Sequence, residues 1–233
     1  MSTLPADPFR DRTDAGEQLA QAIYAILTQT GTDSGSAKPI VYALPRGGLP
    51  VAAPVARLLS CPLDIVVAKK ISHPKNPELA IGAVSASGQL LWTTTPMRAS
   101  RQHSREQEDR RQEAINQAQS QLAQLTPACP QVNIQGALAI LVDDGIATGM
   151  TMAVAAKALK AQQPAAVWIC TPVAPLSLLP WLRQWGDCII VLETPELFLS
   201  VSHFYTEFPQ VEIEEALGYL QQQNDWLAGN REC

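Results

Sequence analysis

Short apolar runs alternate along the chain with segments in which apolar residues recur at helical spacing. The runs suit buried strands, and turn residues or acids follow them. The predicted strands are 40–44, 64–68, 137–142, 166–171 and 188–192. The predicted helices are 11–29, 49–59, 97–125, 150–161, 176–185 and 212–223. Strands that alternate with helices predict a doubly wound α/β fold, in which helices cover both faces of a parallel sheet.

Two segments depart from this alternation. Residues 69–80 are polar and contain two prolines, and they predict a loop. Residues 81–84 and 89–94 flank a glycine-containing turn and predict a β-hairpin. Because the chain shows no internal repeat and no low-complexity segment, we expect a single domain.

Composition narrows the class of protein. Hydrophobic residues make up 46% of the 233 residues and charged residues 17%, which permits a buried core and excludes disorder over most of the chain. The formal net charge is −5, so we expect no nucleic-acid partner and no binding to a membrane surface. No apolar run approaches the length of about 18 residues that a bilayer requires, and the N-terminus does not resemble a secretory signal.

Cysteine usage points to a reducing compartment. The five cysteines are widely spaced and include no Cys-x-x-Cys pair. An odd number without metal-ligand spacing argues against a disulfide framework and against structural zinc. We therefore expect a cytoplasmic location.

The segment most informative for function is ILVDDGIATGMT, residues 140–151. It leads from the end of a strand, where open α/β sheets bind ligands, through two acids and small residues into a helix. Backbone N–H groups of such a loop, together with the helix N-terminus, can converge on a phosphate. Thr148 and Thr151 add hydroxyl donors. Asp143 and Asp144 would accept hydrogen bonds from sugar hydroxyls, so a 5′-phosphorylated ribose fits better than the alternative, an ordinary capped turn.

This segment resembles the phosphoribosyl pyrophosphate (PRPP) signature of the type I phosphoribosyltransferases. The opening FRDRTDAG, the turn LPRGG at 44–48 and NPELAIGA at 76–83 are similar to a bacterial subgroup whose signature reads VDDGxATG. The resemblance implies one domain over residues 1–233. It has a parallel α/β core of about 11–192 and a small C-terminal hood of about 193–233.

The resemblance assigns the two halves of the signature to two parts of PRPP. In the family the acids hold the ribose 2′ and 3′ hydroxyls, a role that falls here to Asp143 and Asp144. The loop and first helical turn would bind the 5′-phosphate through Ala147, Thr148, Gly149, Met150 and Thr151.

A second loop is implied on the pyrophosphate side. Arg46, Gly47 and Gly48 take the place of the family's pyrophosphate loop, which often contains a non-proline cis peptide. A plain glycine turn with a solvated arginine is the alternative. Lys69 and Lys70 follow a predicted strand and would join Arg46 as catalytic cations that neutralise the leaving pyrophosphate. Lysines at a strand end are also common as a solvated edge, and that alternative stays open.

The resemblance implies two further parts around the pocket. Residues 71–80 take the place of the flexible loop that closes over PRPP. The aromatic segment 197–208 takes the place of the hood that selects the acceptor, where Phe204 or Tyr205 would stack on a planar ring. The alternative is that Phe198, Phe204 and Phe208 seal the core. Ala147 stands where members acting on 6-oxopurines carry an acid, which disfavours hypoxanthine and guanine.

We therefore predict a phosphoribosyltransferase of nucleotide metabolism that transfers 5-phosphoribosyl from PRPP to a small-molecule nitrogen nucleophile such as a nucleobase. Mg²⁺ would be carried by PRPP near Asp143 and Asp144, without direct protein ligands. One alternative is a non-catalytic PRPP-sensing regulatory or interaction protein. Another is a nucleotide hydrolase or phosphorylase with the same phosphate site. The long helix 97–125 carries mixed charges typical of a solvated face, and a homodimer contact through it stays open.

Overall fold

The structure is a computed structural model that describes residues 9–29, 37–73, 76–93 and 101–230. The strands are β1 (Pro39–Ala43), β2 (Leu63–Ile65), β3 (Ala68–His73), β4 (Asn76–Ser85), β5 (Leu90–Trp92), β6 (Leu138–Val142), β7 (Ala166–Val173) and β8 (Cys188–Glu193). The helices are α1 (Arg12–Gln29), α2 (Gly48–Leu58), α3 (Arg101–Leu125), α4 (Met150–Lys160), α5 (Leu179–Leu182) and α6 (Ile213–Gly229). Short 3₁₀ turns span Thr126–Ala128, Leu176–Leu178 and Val201–Phe204.

The main sheet is parallel and has the strand order β2-β1-β6-β7-β8. The chain winds in opposite directions from the neighbouring strands β1 and β6, whose register runs from Pro39 opposite Leu138 to Ala43 opposite Val142. In open α/β sheets such a reversal leaves a crevice at the carboxyl ends of the strands. The loops after β1 and β6 therefore leave the sheet side by side, and they carry the two predicted ligand loops.

Helices cover both faces of this sheet. The central strand β6 is buried along its whole length, and successive side chains enter two different cores. Ile140 and Val142 pack in the core that contains α1, α2 and α6. Ala139 and Leu141 pack in the core that contains α4 and α5. The fold is thus a doubly wound α/β structure, which confirms the predicted class, and α6 of the predicted hood packs within the first helical layer.

The prediction of a loop over residues 69–80 is wrong. β3 and β4 run antiparallel through this segment, with Lys69 opposite Val84 and Lys70 opposite Ala83. β5 then pairs with β4 to complete the predicted hairpin. Polar composition is misleading here because cross-strand pairing, rather than local propensity, stabilises an antiparallel ribbon. Residues 74–75, which fall within the predicted flexible loop 71–80, lie outside the described residues.

The three-stranded sheet β3-β4-β5 is held between two helices. On one face Ile71 and Val84 pack with Ala114 of α3. On the other face Ala83 packs with Met150 of α4. Because α4 begins directly after the predicted phosphate loop, this small sheet is anchored beside that loop.

The predicted helix over 176–185 is shorter than expected. The 3₁₀ turn Leu176–Leu178 and the single α-turn of α5 replace it, since Pro180 has no N–H to donate to the carbonyl of Leu176. In the described part of the chain, no helix combines the length and apolar character needed to cross a membrane. The described cysteines Cys61, Cys129, Cys170 and Cys188 form no disulfide.

Candidate active site

The two acids that follow β6 have different partners. Asp144 Oδ2 accepts a hydrogen bond from Arg12 Nε at 2.8 Å, and the side chains of this ion pair are only 15% and 10% exposed. Asp143 makes no ion pair within the described residues, and its Oδ1 accepts a hydrogen bond from the Asp144 backbone N–H at 2.9 Å. Burial and the neighbouring Asp144 raise the pKa of Asp143 well above its ordinary value. Burial also raises the pKa of Asp144, although Arg12 opposes this rise.

The loop after β1 lies directly on the acid pair because two glycines leave room for it. A Cβ on Gly47 would collide with the carboxylate of Asp144. A Cβ on Gly48 would lie 3.3 Å from Asp143 Oδ1. Larger residues at either position would push the loop off the acids, so these glycines set the distance between the predicted pyrophosphate and ribose subsites.

The three predicted catalytic cations, Arg46, Lys69 and Lys70, do not all lie together. The Pro45–Arg46 peptide is cis, as the resemblance implies, and Arg46 Nη1 lies 3.4 Å from Glu212 Oε2. Successive residues of a strand point to opposite faces. Lys69 faces the side of Arg46, and burial together with Arg46 lowers the pKa of Lys69. Lys70 lines the cavity beside the predicted phosphate loop, so the structure brings Lys69 and Arg46 together and separates Lys70 from them.

The loop before α4 has the geometry of a phosphate cradle. All its predicted residues line one cavity of about 830 Å³: Ala147, Thr148, Gly149, Met150 and Thr151. Gly149 is the N-cap residue before α4 and has the left-handed conformation, with φ of 74°; as a glycine it has no side chain that could cap the helix. The first N–H groups of α4 are thus directed at the cavity without a capping side chain, which is the arrangement that binds anions at helix N-termini.

The two candidate hood residues are buried. Phe204 and Tyr205 are only 5% and 6% exposed. Phe204 stacks on Phe198 with ring centroids 5.6 Å apart, and the Tyr205 hydroxyl donates a hydrogen bond to the backbone carbonyl of Asp144 at 2.6 Å. For Phe204 this is the contact of the core-sealing alternative. Stacking on an acceptor ring stays a prediction for both residues.

Arg12 is the residue of this site that motif reasoning missed. It is 8% exposed and donates to the carbonyl of Pro209 at 2.6 Å, while its guanidinium lies 3.6 Å from the ring centroid of Phe208. A cation this deeply buried requires a counter-charge, which Asp144 supplies. The resemblance of the FRDRTDAG opening to the family subgroup indicated that this segment has a role, although not which one. Nothing in the spacing of the sequence connects Arg12 with an acid 132 positions further along the chain.

Replacing Gly149 by alanine should destabilise the protein more than the same change at Gly136. Both glycines have left-handed φ angles, 74° and 71°. A Cβ at Gly149 would lie 2.5 Å from Trp181, whereas a Cβ at Gly136 meets nothing within 4 Å. Left-handed backbone costs an alanine about 1–2 kcal/mol, so Gly136→Ala should lose that much and Gly149→Ala clearly more. Urea unfolding of both variants measures the two losses in the free energy of unfolding. Equal losses would contradict the close contact between Trp181 and Gly149.

Fold and site together define a class of protein. A doubly wound sheet carries an acid pair, an anion cradle and a glycine loop at the reversal of its strand order, as expected for binding a phosphorylated sugar or nucleotide. The family model described as phosphoribosyl transferase domain matches residues 11–180. The chain therefore belongs to the phosphoribosyl transferase domain family.

Relatives agree with this assignment. The chain is 32% identical over 212 residues to proteins from two strains of Mycobacterium tuberculosis that are provisionally named phosphoribosyl transferases. The match covers 91% of this chain and 46% of theirs, so the chain spans about half the length of the curated relatives it matches. The crystal structure of TT1426 from Thermus thermophilus is 31% identical, with a TM-score of 0.75 and coverage of 93% of this chain and 99% of that one.

Proposed function

We propose that this chain binds PRPP with Mg²⁺ and transfers the 5-phosphoribosyl group to a nitrogen of a small-molecule acceptor, most simply a nucleobase. The single observation that carries the proposal is the placement of the acid pair. It is joined to the phosphate cradle on one side and lies against Gly47 and Gly48 on the other. PRPP presents its 5′-phosphate, ribose hydroxyls and diphosphate in the same order.

In the proposed reaction the bond between ribose C1 and the pyrophosphate oxygen breaks, and a bond from C1 to the acceptor nitrogen forms on the opposite face. The acceptor loses a proton and pyrophosphate leaves. Asp143 and Asp144 would accept hydrogen bonds from the ribose hydroxyls and so orient C1. Arg46 and Lys69, which lie together, would stabilise the negative charge that develops on the leaving group.

The residues of the site suit a magnesium ion that arrives with its substrate. Within the described ranges, no group of three or more His, Cys, Asp or Glu side chains is placed to hold a metal ion. Mg²⁺ is commonly held by one or two carboxylates together with substrate phosphates and water. We propose that PRPP oxygens supply most of its ligands and that the partly buried carboxyl of Asp143 lies nearby.

Thr148→Val should weaken the binding of ribose 5-phosphate by roughly 1–3 kcal/mol, since it removes one hydrogen bond to a charged phosphate. Thr148 is exposed at the cradle, so packing should be unaffected. Calorimetric titration measures the loss. Thr126→Val, at an exposed threonine outside the cradle, is the control. Equal affinities for Thr148→Val and the parent would place the phosphate elsewhere.

The function itself is tested by pyrophosphate release from PRPP and Mg²⁺ across a panel of nucleobases and small amines. Release with one acceptor, accompanied by its ribonucleotide, is the expected result. Release without any acceptor would indicate a hydrolase. If no pyrophosphate is released but Mg-PRPP binds, the transferase proposal fails in favour of a PRPP-sensing regulator.

A further inference from the structure

A second hollow, of about 550 Å³, lies beside the pyrophosphate loop, and α3 forms one of its walls. Arg46, Lys69 and Ile213 line the other side. The α3 wall consists of polar, uncharged residues: Asn116, Gln117, Ser120, Gln121 and Gln124. Their spacing of three and four residues places them on one face of the helix, which we call the amide face. None of these five residues lies in the sequence segments that carry the family resemblance.

Two cations face the amide face. Lys69 is partly buried and makes no ion pair with an acid in the described parts of the chain. Arg46 is paired with Glu212 at 3.4 Å, and the Glu212 side chain is 62% exposed. Because Lys69 has no acid partner in the described residues and the partner of Arg46 is mostly exposed, the positive charge at the hollow is only partly compensated. Such charge, beside neutral amide donors, suits a ligand with several anionic oxygens.

Gln121 provides an independent observation. Its Oε1 is buried and has no hydrogen-bond partner, although Gln121 lines the hollow. Buried acceptors without a partner are rare in folded proteins. A ligand that brings hydrogen-bond donors as well as anionic oxygens would satisfy the cations, and it would also satisfy Gln121 once the amide of this side chain turns toward the hollow. A diphosphate with a hydrated magnesium ion has both, because the water molecules on the metal are donors.

We propose that the amide face of α3 binds the diphosphate end of the substrate together with Arg46 and Lys69. The inference rests on the proposed function and extends it, since it gives a role to a helix outside the family motifs. Arg46 precedes Gly47, where an added Cβ would collide with the Asp144 carboxylate, so the hollow adjoins the ribose subsite from the pyrophosphate side. Amide N–H groups and the Ser120 hydroxyl would donate to phosphate oxygens.

Calorimetric titration of the full chain with magnesium pyrophosphate, and separately with ribose 5-phosphate, tests the proposal. The double variant Gln117→Leu/Gln121→Leu should bind magnesium pyrophosphate about tenfold more weakly or worse. Its affinity for ribose 5-phosphate should stay that of the parent. Gln119→Leu makes the same change at an exposed position of α3 outside the hollow, and it should bind both ligands as the parent does.

Two single variants act in opposite directions and so separate binding from misfolding. Ser120→Asp adds a negative charge at an exposed position of the amide face and should weaken pyrophosphate binding by repulsion. Glu212→Gln removes the anion that competes for Arg46 and should strengthen it several-fold. A gain in affinity cannot result from a damaged fold.

The outcomes distinguish this proposal from the proposed function. It is overturned if the double variant binds magnesium pyrophosphate like the parent, or if Gln119→Leu loses as much affinity. If the parent binds ribose 5-phosphate but not pyrophosphate, the role of α3 is refuted while the phosphate cradle stands. If the parent binds neither of these ligands nor Mg-PRPP, the proposed function fails as well.

Discussion

Replacing Asp143 by asparagine should abolish the binding of Mg-PRPP and leave the protein at least as stable as the parent at neutral pH. The carboxyl makes no ion pair in the described structure, and burial beside Asp144 raises its pKa well above the ordinary value. The fold therefore disfavours the ionised carboxylate of Asp143, which is the form that would accept hydrogen bonds from the ribose hydroxyls. Asparagine keeps an oxygen for the N–H of Asp144 and removes the buried charge.

The pH dependence of stability follows from the same shift. Because the folded-state pKa of Asp143 is raised, the folded protein holds this proton more tightly than the unfolded chain. This stabilisation is present at low pH and is lost as pH rises through the raised pKa. Thermal unfolding from neutral to mildly acidic pH should show the parent gaining stability relative to Asp143→Asn. A variant that is less stable than the parent at neutral pH would mean that Asp143 has a structural role.

Replacing Arg12 by methionine should destabilise the protein by about 3–5 kcal/mol, the usual effect of removing one partner of a buried ion pair. Asp144 would keep a carboxylate that is only 15% exposed without its cation. The variant also loses the hydrogen bond to Pro209 and the contact with Phe208 that join α1 to the hood. We expect weaker PRPP binding too, since Asp144 is no longer held in place. Denaturant unfolding and calorimetry measure the two losses.

Asp144→Asn gives the matched comparison for both predictions. It makes the same chemical change as Asp143→Asn but leaves Arg12 buried and unpaired, so it should lose stability as well as binding. The double variant Arg12→Met/Asp144→Asn should cost less than the sum of the single changes, because residues in contact are not additive. Arg12→Lys should recover little, since one ammonium nitrogen cannot replace the two separate nitrogens that bond to Asp144 and Pro209 or the planar group that lies over Phe208. If the losses in unfolding free energy of the two single variants add up to that of the double variant, Arg12 and Asp144 are not coupled.

The strand, loop and helix of the candidate phosphate cradle were predictable because they are contiguous in the sequence. Residues 140–151 contain the strand, the acids, the loop and the helix start in one run, and the structure places them as that order implies. The ribbon of β3 and β4 was not predictable from composition, because its polar residues are held by partners across the ladder. That ribbon also decides which way each lysine faces, so Lys69 joins Arg46 and Lys70 does not.

The sequence by itself determined the doubly wound class, the position of the acid pair and the candidate phosphate loop, since each depends on local periodicity or adjacent residues. Only the tertiary structure decided that Arg12 neutralises Asp144 and that the Tyr205 hydroxyl donates to the Asp144 carbonyl. It also decided that the polar helix α3 faces Arg46 across a hollow. These contacts join residues far apart in the chain, and their energies depend on burial and distance, which no local pattern records.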